Sequence, residues 1–132
     1  MKSYTDIEQS RKLAEILPLE SADMCWTPFD EKWDAYLGAP NPDAIKKEIP
    51  CWSLAALFGV LRIYTTPTAF SINISVPSLI KTKDGYSITY VGDYRIMESN
   101  NNDIESPIEI VADNPIDACV EMIIKLHEIN LL

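Results

Sequence analysis

The spacing of apolar residues changes from the period of a helix to that of a strand partway along this chain, and the change dictates a mixed fold. In the first 62 residues most apolar positions recur at intervals of three and four, which is the period of a helix face. From Phe70 to Val76 they alternate with serine and asparagine, which is the period of a strand with one solvated face. An α+β fold is therefore expected.

Turn signals divide the second half of the chain into strands. Asp84-Gly85 between two β-like runs is a strong hairpin signal, and Gly92-Asp93 marks another turn. The predicted strands are residues 70–76, 79–83, 86–91, 94–98 and 108–112. The simplest arrangement is a two-layer fold in which an antiparallel meander of four to five strands packs against helices.

Three helices have clear start signals. Thr5 and Glu8 form the pattern of a capping box for a helix over residues 6–17, which Pro18 ends. Ser53 is a suitable N-cap for a buried helix over residues 54–62. Asn114-Pro115-Ile116-Asp117 begins a long C-terminal helix that continues to about residue 129.

An acidic and aromatic segment is predicted to form a further short helix. Thr27, Pro28 and Asp30 supply a capping hydroxyl, a proline and a carboxylate, and Gly38 is the expected end. At helical spacing, one face of this segment would carry aromatic side chains.

This aromatic face has two interpretations. Helices of small domains normally bury their apolar face in the core. The alternative is a partner-binding surface, made of Trp26, Phe29, Trp33 and Tyr36.

Size and charge restrict the classes of function. The chain has 132 residues, which suits a single domain over residues 1–132. Its net charge of −9 disfavours direct binding to nucleic acid, because phosphate binding needs clustered Lys and Arg. The acidity serves solubility or recognition of a basic partner, including a role as an acidic decoy.

A cytoplasmic location is expected. The N-terminus leads into charged residues without the apolar stretch of an export signal, and the longest apolar run, residues 54–61, is too short to cross a membrane. The three cysteines, Cys25, Cys51 and Cys119, form no Cys-x-x-Cys pair, which fits a reducing compartment.

Catalytic chemistry has one candidate pair. A Cys-His pair is the only nucleophile and base combination that the composition permits within one chain. Cys51 precedes the predicted buried helix and His127 is expected on the apolar face of the last one, but no third orienting residue accompanies them. Cys119 lies in the first turn of the last helix and is expected to be an inert core residue. We therefore expect no catalytic, metal or cofactor-binding residues, and favour a protein that is not an enzyme.

Two motifs resemble a known group of proteins. Residues 49–57 (Ile-Pro-Cys-Trp-Ser-Leu-Ala-Ala-Leu) and residues 113–122 (Asp-Asn-Pro-Ile-Asp-Ala-Cys-Val-Glu-Met) are similar to those of small uncharacterised proteins of gut bacteria, prophages and other mobile elements. The shared order of parts is an N-terminal helix, a Pro-x-x-Ser-Leu-x-x-Leu helix, a β-meander and a final helix opened by Asn-Pro-x-Asp-Ala. The resemblance implies a mobile-element origin and brings no catalytic residues.

The meander with its final helix also resembles antitoxins of the HicB type, although no DNA-binding segment is present in the sequence. Together these features favour a non-catalytic interaction protein with an unknown protein partner. The alternatives are a small enzyme or ligand-binding protein with a site near Cys51 and His127, and an antitoxin-like binder of a basic protein. A homodimer through a strand edge or the aromatic face is a further hypothesis.

Overall fold

The computed structural model describes most of the chain. It covers residues 2–29, 32–38, 48–62, 64–67, 72–92 and 108–132, and within them the side chains of residues 29, 64–67, 72–75 and 91–92 are not described. The described chain divides into two compact units, Met1–Val60 and Leu61–Leu132. Each unit has its own antiparallel sheet.

The first unit begins with helix α1, Ile7–Ala14. The predicted helix over residues 6–17 is confirmed, but it begins one residue later, at Ile7, and ends three residues earlier, at Ala14. Asp6 is the N-cap, and its side chain forms a capping box with Gln9 in place of the predicted pair Thr5 and Glu8. The hydroxyl of Thr5 does not cap the helix because Thr5 is completely buried and bonds inside the unit.

The predicted helix between Thr27 and Gly38 is wrong. These residues belong to a hairpin of strands β1, Met24–Phe29, and β2, Lys32–Leu37. A third strand, β3 (Ile49–Cys51), pairs with the other edge of β1, so the order is β2-β1-β3.

The residues that signalled a helix start are equally compatible with a strand. A proline disfavours helical backbone in the residue before it, and aromatic residues favour strands. The pairing of β3 with β1 ends at Trp26, two residues before Pro28. Pro28 therefore lies where β1 has only β2 as a neighbour among the described strands, and its missing N–H leaves no ladder bond unmade.

Helix α2, Leu54–Val60, starts where it was predicted and ends two residues earlier than expected. The prediction that this helix is buried is wrong, because Leu57 is its one buried residue. The Ala56 N–H donates to the Ser53 hydroxyl at 3.2 Å, which confirms Ser53 as the cap. Asp23, just before β1, accepts hydrogen bonds from the N–H and the hydroxyl of Ser53. The same residue's carbonyl accepts from the N–H of Gly38 at 2.8 Å, so Asp23 joins both ends of the hairpin to the start of α2.

The second unit contains the predicted meander. Its four strands lie in chain order: β4 (Tyr64–Pro67), β5 (Ile72–Thr82), β6 (Gly85–Gly92) and β7 (Glu109–Ala112). The α+β class is confirmed, but the strands of the chain lie in two sheets and not in one. Strand β4 was not predicted, and the predicted strand over residues 94–98 lies outside the described residues.

Strand β5 joins two predicted strands into one. Pro77 was expected to end or bend the strand, yet β5 continues through it and pairs Pro77 with Tyr90. The pairing of β4 with β5 ends at Ser75, again two residues before the proline. Here too, the proline lies where the strand has one neighbour among the described strands.

Helix α3, Pro115–Glu128, packs on β6 and β7 and completes a two-layer unit. Its predicted cap is confirmed, because the Asp117 N–H donates to the Asn114 side chain at 2.9 Å. Its apolar face is buried, as expected. The fully buried side chains of this layer are Ile88, Tyr90, Ile116, Ala118, Cys119, Met122, Ile123 and Leu126.

The β5–β6 turn generates the first prediction. Gly85 has a φ of +142°, and a Cβ built there would collide with the Ala112 carbonyl oxygen of β7. Gly85→Ala should therefore lower the free energy of unfolding by about 2 kcal/mol or more. The control is Gly59→Ala on α2, where a Cβ meets nothing within 4 Å. In urea unfolding, the free energy of unfolding of Gly59→Ala should be unchanged or higher by up to about 1 kcal/mol. Equal stability of the two variants would contradict the prediction.

Candidate binding groove

An open groove lies between the start of α1 and the β1–β2 hairpin. Its volume is about 650 Å³, and it is lined by Asp6, Ile7, Glu8, Trp26, Lys32, Trp33 and Asp34. The apolar lining comes from the two indoles and Ile7, while the charged residues come from both α1 and β2. One side of the groove is thus a helix start and the other a strand pair.

Strand register places the two tryptophans on one face of the sheet. Pro28 lies directly opposite Trp33, and Trp26 is two residues from Pro28 on β1. Residues two apart in a strand share a face, as do directly opposed residues. Trp26 and Trp33 are both half-buried, so each indole keeps part of its surface in solvent.

Hydrogen bonding and ring packing fix the indole of Trp26. Its Nε1–H donates to the Thr5 carbonyl oxygen at 3.1 Å. Tyr4 contacts it edge to face, with ring centroids 5.6 Å apart. A smaller cavity of about 310 Å³, lined by Lys2, Ser3, Tyr4, Asp6 and Trp26, adjoins the groove. The Trp26 indole therefore lines both cavities, and its hydrogen bond and ring contact hold it in place.

Carboxylates outnumber ammonium groups along the groove. Asp6 caps α1 and forms an ion pair with Lys2 at 2.9 Å. Glu8 and Asp34 are exposed and make no hydrogen bond or ion pair with any residue that the structure describes. Lys32 is the cation of the lining. Counting Lys2, three carboxylates are opposed by two ammonium groups.

The predicted partner-binding residues are divided by the hairpin. Trp26 and Trp33 line the groove, whereas Tyr36 lies opposite Cys25 on the other face of the sheet and is 51% exposed. The side chain of Phe29 lies outside the described residues. Helical spacing wrongly grouped Trp33 with Tyr36, because three residues along a strand reverse the face.

Five lining residues were missed by the sequence interpretation: Asp6, Ile7, Glu8, Lys32 and Asp34. Lys32 and Asp34 had a usable signal, since Lys32, Asp34 and Tyr36 alternate with Trp33 and Ala35 as in a strand. Asp6, Ile7 and Glu8 had none, because only the tertiary fold brings α1 beside the hairpin.

Cys51 is unsuited to nucleophilic chemistry in this structure. It is 0% exposed, and burial raises the pKa of its thiol despite the hydrogen bond from the Thr5 hydroxyl, which acts in the opposite sense. A nucleophilic cysteine needs an accessible thiolate. His127, expected on the apolar face of the last helix, is exposed on α3.

Cys119 fits its predicted role in the core. It is fully buried, and burial raises the pKa of its thiol to about 11. Its place in the first turns of α3 does not lower the pKa, because loss of hydration outweighs the helix dipole. In the described part of the chain, no three His, Cys, Asp or Glu side chains come together as metal ligands.

The described helices are all too short or too polar to span a membrane. No protein-family model matches the chain, and neither curated proteins nor solved structures include a significant match. The groove and its lining are therefore interpreted from their own geometry.

Thr5 generates a prediction about the groove's support. Its hydroxyl accepts the Trp52 N–H at 3.1 Å and lies 2.7 Å from the Ser10 hydroxyl. Thr5→Val keeps the shape but leaves the buried Trp52 N–H without an acceptor, so the free energy of unfolding should fall by about 1–3 kcal/mol. Thr5→Ser restores the hydroxyl and should recover most of this loss in thermal unfolding. A valine variant as stable as the wild type would show that the bond contributes nothing.

The raised pKa of Cys119 predicts an alkaline loss of stability. Between the ordinary pKa of 9.0 and about 11, the unfolded chain loses the thiol proton while the native chain keeps it. Stability therefore falls as pH rises through this window, by up to about 2–3 kcal/mol from this group. Cys119→Ala removes this contribution, so the gap between wild type and variant in urea unfolding should narrow from pH 9 to pH 11. If the difference in the free energy of unfolding between wild type and Cys119→Ala stays constant from pH 9 to pH 11, the loss of stability does not come from Cys119.

Proposed function

We propose that the protein is a non-catalytic interaction protein whose β1–β2 hairpin and groove bind a protein partner. One observation supports this most directly: two half-buried tryptophans line an open groove, and the same hairpin exposes further apolar surface. Tryptophan and tyrosine are the side chains that most often dominate binding energy at protein interfaces.

The hairpin extends the surface beyond the groove. Tyr36 is 51% exposed and Leu37 is 85% exposed, and both lie on β2, the edge strand of the described three-stranded sheet. A stable interface needs roughly 800 Å² from each partner, more than a groove alone supplies. The two faces of β2 together provide a larger surface, which a partner can contact from both sides.

The enzyme alternative loses its support at Cys51. Its thiol is buried, its pKa is raised, and its sulfur lies 3.6 Å from the Thr5 hydroxyl in a packed interior. The proposal retains the cytoplasmic location and mobile-element origin that the sequence favours.

The test is affinity purification of the tagged protein from its native host, followed by mass spectrometry. The double variant Trp33→Ala/Tyr36→Ala removes aromatic surface from both faces of β2. We expect a stoichiometric protein partner with the wild type and at least about tenfold less of it with this variant, because interface aromatics commonly contribute 2 kcal/mol or more.

The matched control is Ile80→Ala/Val111→Ala in the meander sheet. These apolar residues are similarly exposed, at 54% and 55%. The control should retain the partner, and circular dichroism should show that both variants remain folded. Loss of the partner only with the control would place the interface elsewhere, and a bound metabolite in place of a protein would contradict the proposal.

A further inference from the structure

We propose that the groove binds an arginine side chain of the partner, with its guanidinium against the indoles of Trp26 and Trp33 and beside the carboxylate of Glu8. This inference rests on the proposed function and specifies the chemistry of the segment that is bound. It follows from the shape, the aromatic lining and the charge of the groove.

The aromatic lining suits a flat cation. An indole face attracts a positive charge placed over it, and tryptophan does so more strongly than tyrosine or phenylalanine. Trp26 and Trp33 share a face of the sheet and line one groove, and each retains solvent-accessible surface. The bond from Trp26 Nε1 to the Thr5 carbonyl holds one ring in place before any ligand arrives, which reduces the entropy lost on binding.

The charges of the groove suit one additional cation. Lys2 is paired with Asp6, and Lys32 and Asp34 alternate with Trp33 along β2, so their side chains belong to the face opposite the indoles. The carboxylate of Glu8, from α1, therefore leaves one negative charge unbalanced beside the indoles, and within the described residues it has no hydrogen-bond or ion-pair partner. A guanidinium presents five N–H donors in one plane and can bond to carboxylates while it stacks on a ring. An ammonium group has a point charge and no flat face to stack.

The chain's overall charge supports the same ligand. A net charge of −9 attracts basic segments over a distance and raises their rate of association at low salt. Net charge alone does not position a ligand, whereas the groove provides a defined position for one side chain. A basic, arginine-bearing segment is therefore the partner chemistry that the observations favour.

The test follows the indole N–H signals in NMR spectra of the ¹⁵N-labelled full chain. The chain contains three tryptophans, which gives three such signals. Trp52 serves as the internal control, because it is 0% exposed and its Nε1–H donates to the Ser21 hydroxyl at 3.0 Å. Single Trp→Phe variants assign the signals.

Three acetylated and amidated tripeptides serve as probes: glycine-arginine-glycine, the same peptide with citrulline, and the same peptide with lysine. Citrulline keeps the length and hydrogen-bonding shape of arginine but carries no charge. We expect the arginine peptide to shift the signals of Trp26 and Trp33 saturably and to leave Trp52 in place. The citrulline peptide should bind at least about tenfold more weakly and the lysine peptide a few-fold more weakly.

The carboxylate of Glu8 is tested with a charge-matched pair of variants. Glu8→Gln should weaken binding of the arginine peptide several-fold, whereas Glu20→Gln removes the same charge from an exposed position outside the groove lining and should have little effect. Equal losses of affinity in both variants would show that the peptide responds only to the net charge of the chain.

The inference is overturned if citrulline binds as tightly as arginine, if lysine does, or if millimolar arginine peptide moves neither groove signal. These failures are distinct from failure of the proposed function. If the hairpin variant still loses its protein partner while the arginine peptide does not bind, partner binding stands and the arginine specificity falls. If the hairpin variant keeps the partner, the proposed function falls whatever the peptide does.

Discussion

Two hydrogen bonds between Thr5 and Trp52 join the N-terminal segment to the end of β3, and the first unit is organised around them. The Thr5 N–H donates to the Trp52 carbonyl at 3.0 Å, and the Trp52 N–H donates to the Thr5 hydroxyl at 3.1 Å. The Thr5 carbonyl accepts the indole N–H of Trp26 at 3.1 Å and the Cys51 thiol at 3.5 Å. Because α1 starts two residues later, this one residue fixes both the helix that forms one side of the groove and the indole that lines it.

Elements that depend on interactions within a few residues could be predicted from the sequence. The cap and proline at Asn114 and Pro115, the hydroxyl of Ser53 and the alternation beyond Phe70 each act within a few residues, and the structure has the elements they predict. The segment from Thr27 to Gly38 failed because a hydroxyl and a proline suit a helix start as well as a strand. The choice was made by pairing with Ile49–Cys51, more than twenty residues away, which no local pattern records.

The candidate groove shows the same division between local and tertiary information. Aromatic residues near Trp26 were interpreted either as core or as a partner-binding surface, and Trp26 and Trp33 are half-buried and line the groove. Their grouping with Tyr36 was an error of period, since a helix and a strand sort the same residues onto different faces. The carboxylate of Glu8 lines the groove because of where α1 lies. The position of α1 in turn depends on the hydrogen bonds of Thr5 described above.

The two strand prolines also limit how far each sheet can grow. Beyond Trp26 in β1 and beyond Ser75 in β5, the described strands have one free side, which would otherwise be a template for a strand from another molecule. Pro28 and Pro77 withhold the N–H that such a strand would need, each two residues past the last paired position. A crowded cell contains many unfinished or damaged chains with exposed backbone. The placement of these prolines therefore reduces the chance that such a chain joins the sheets and starts an aggregate.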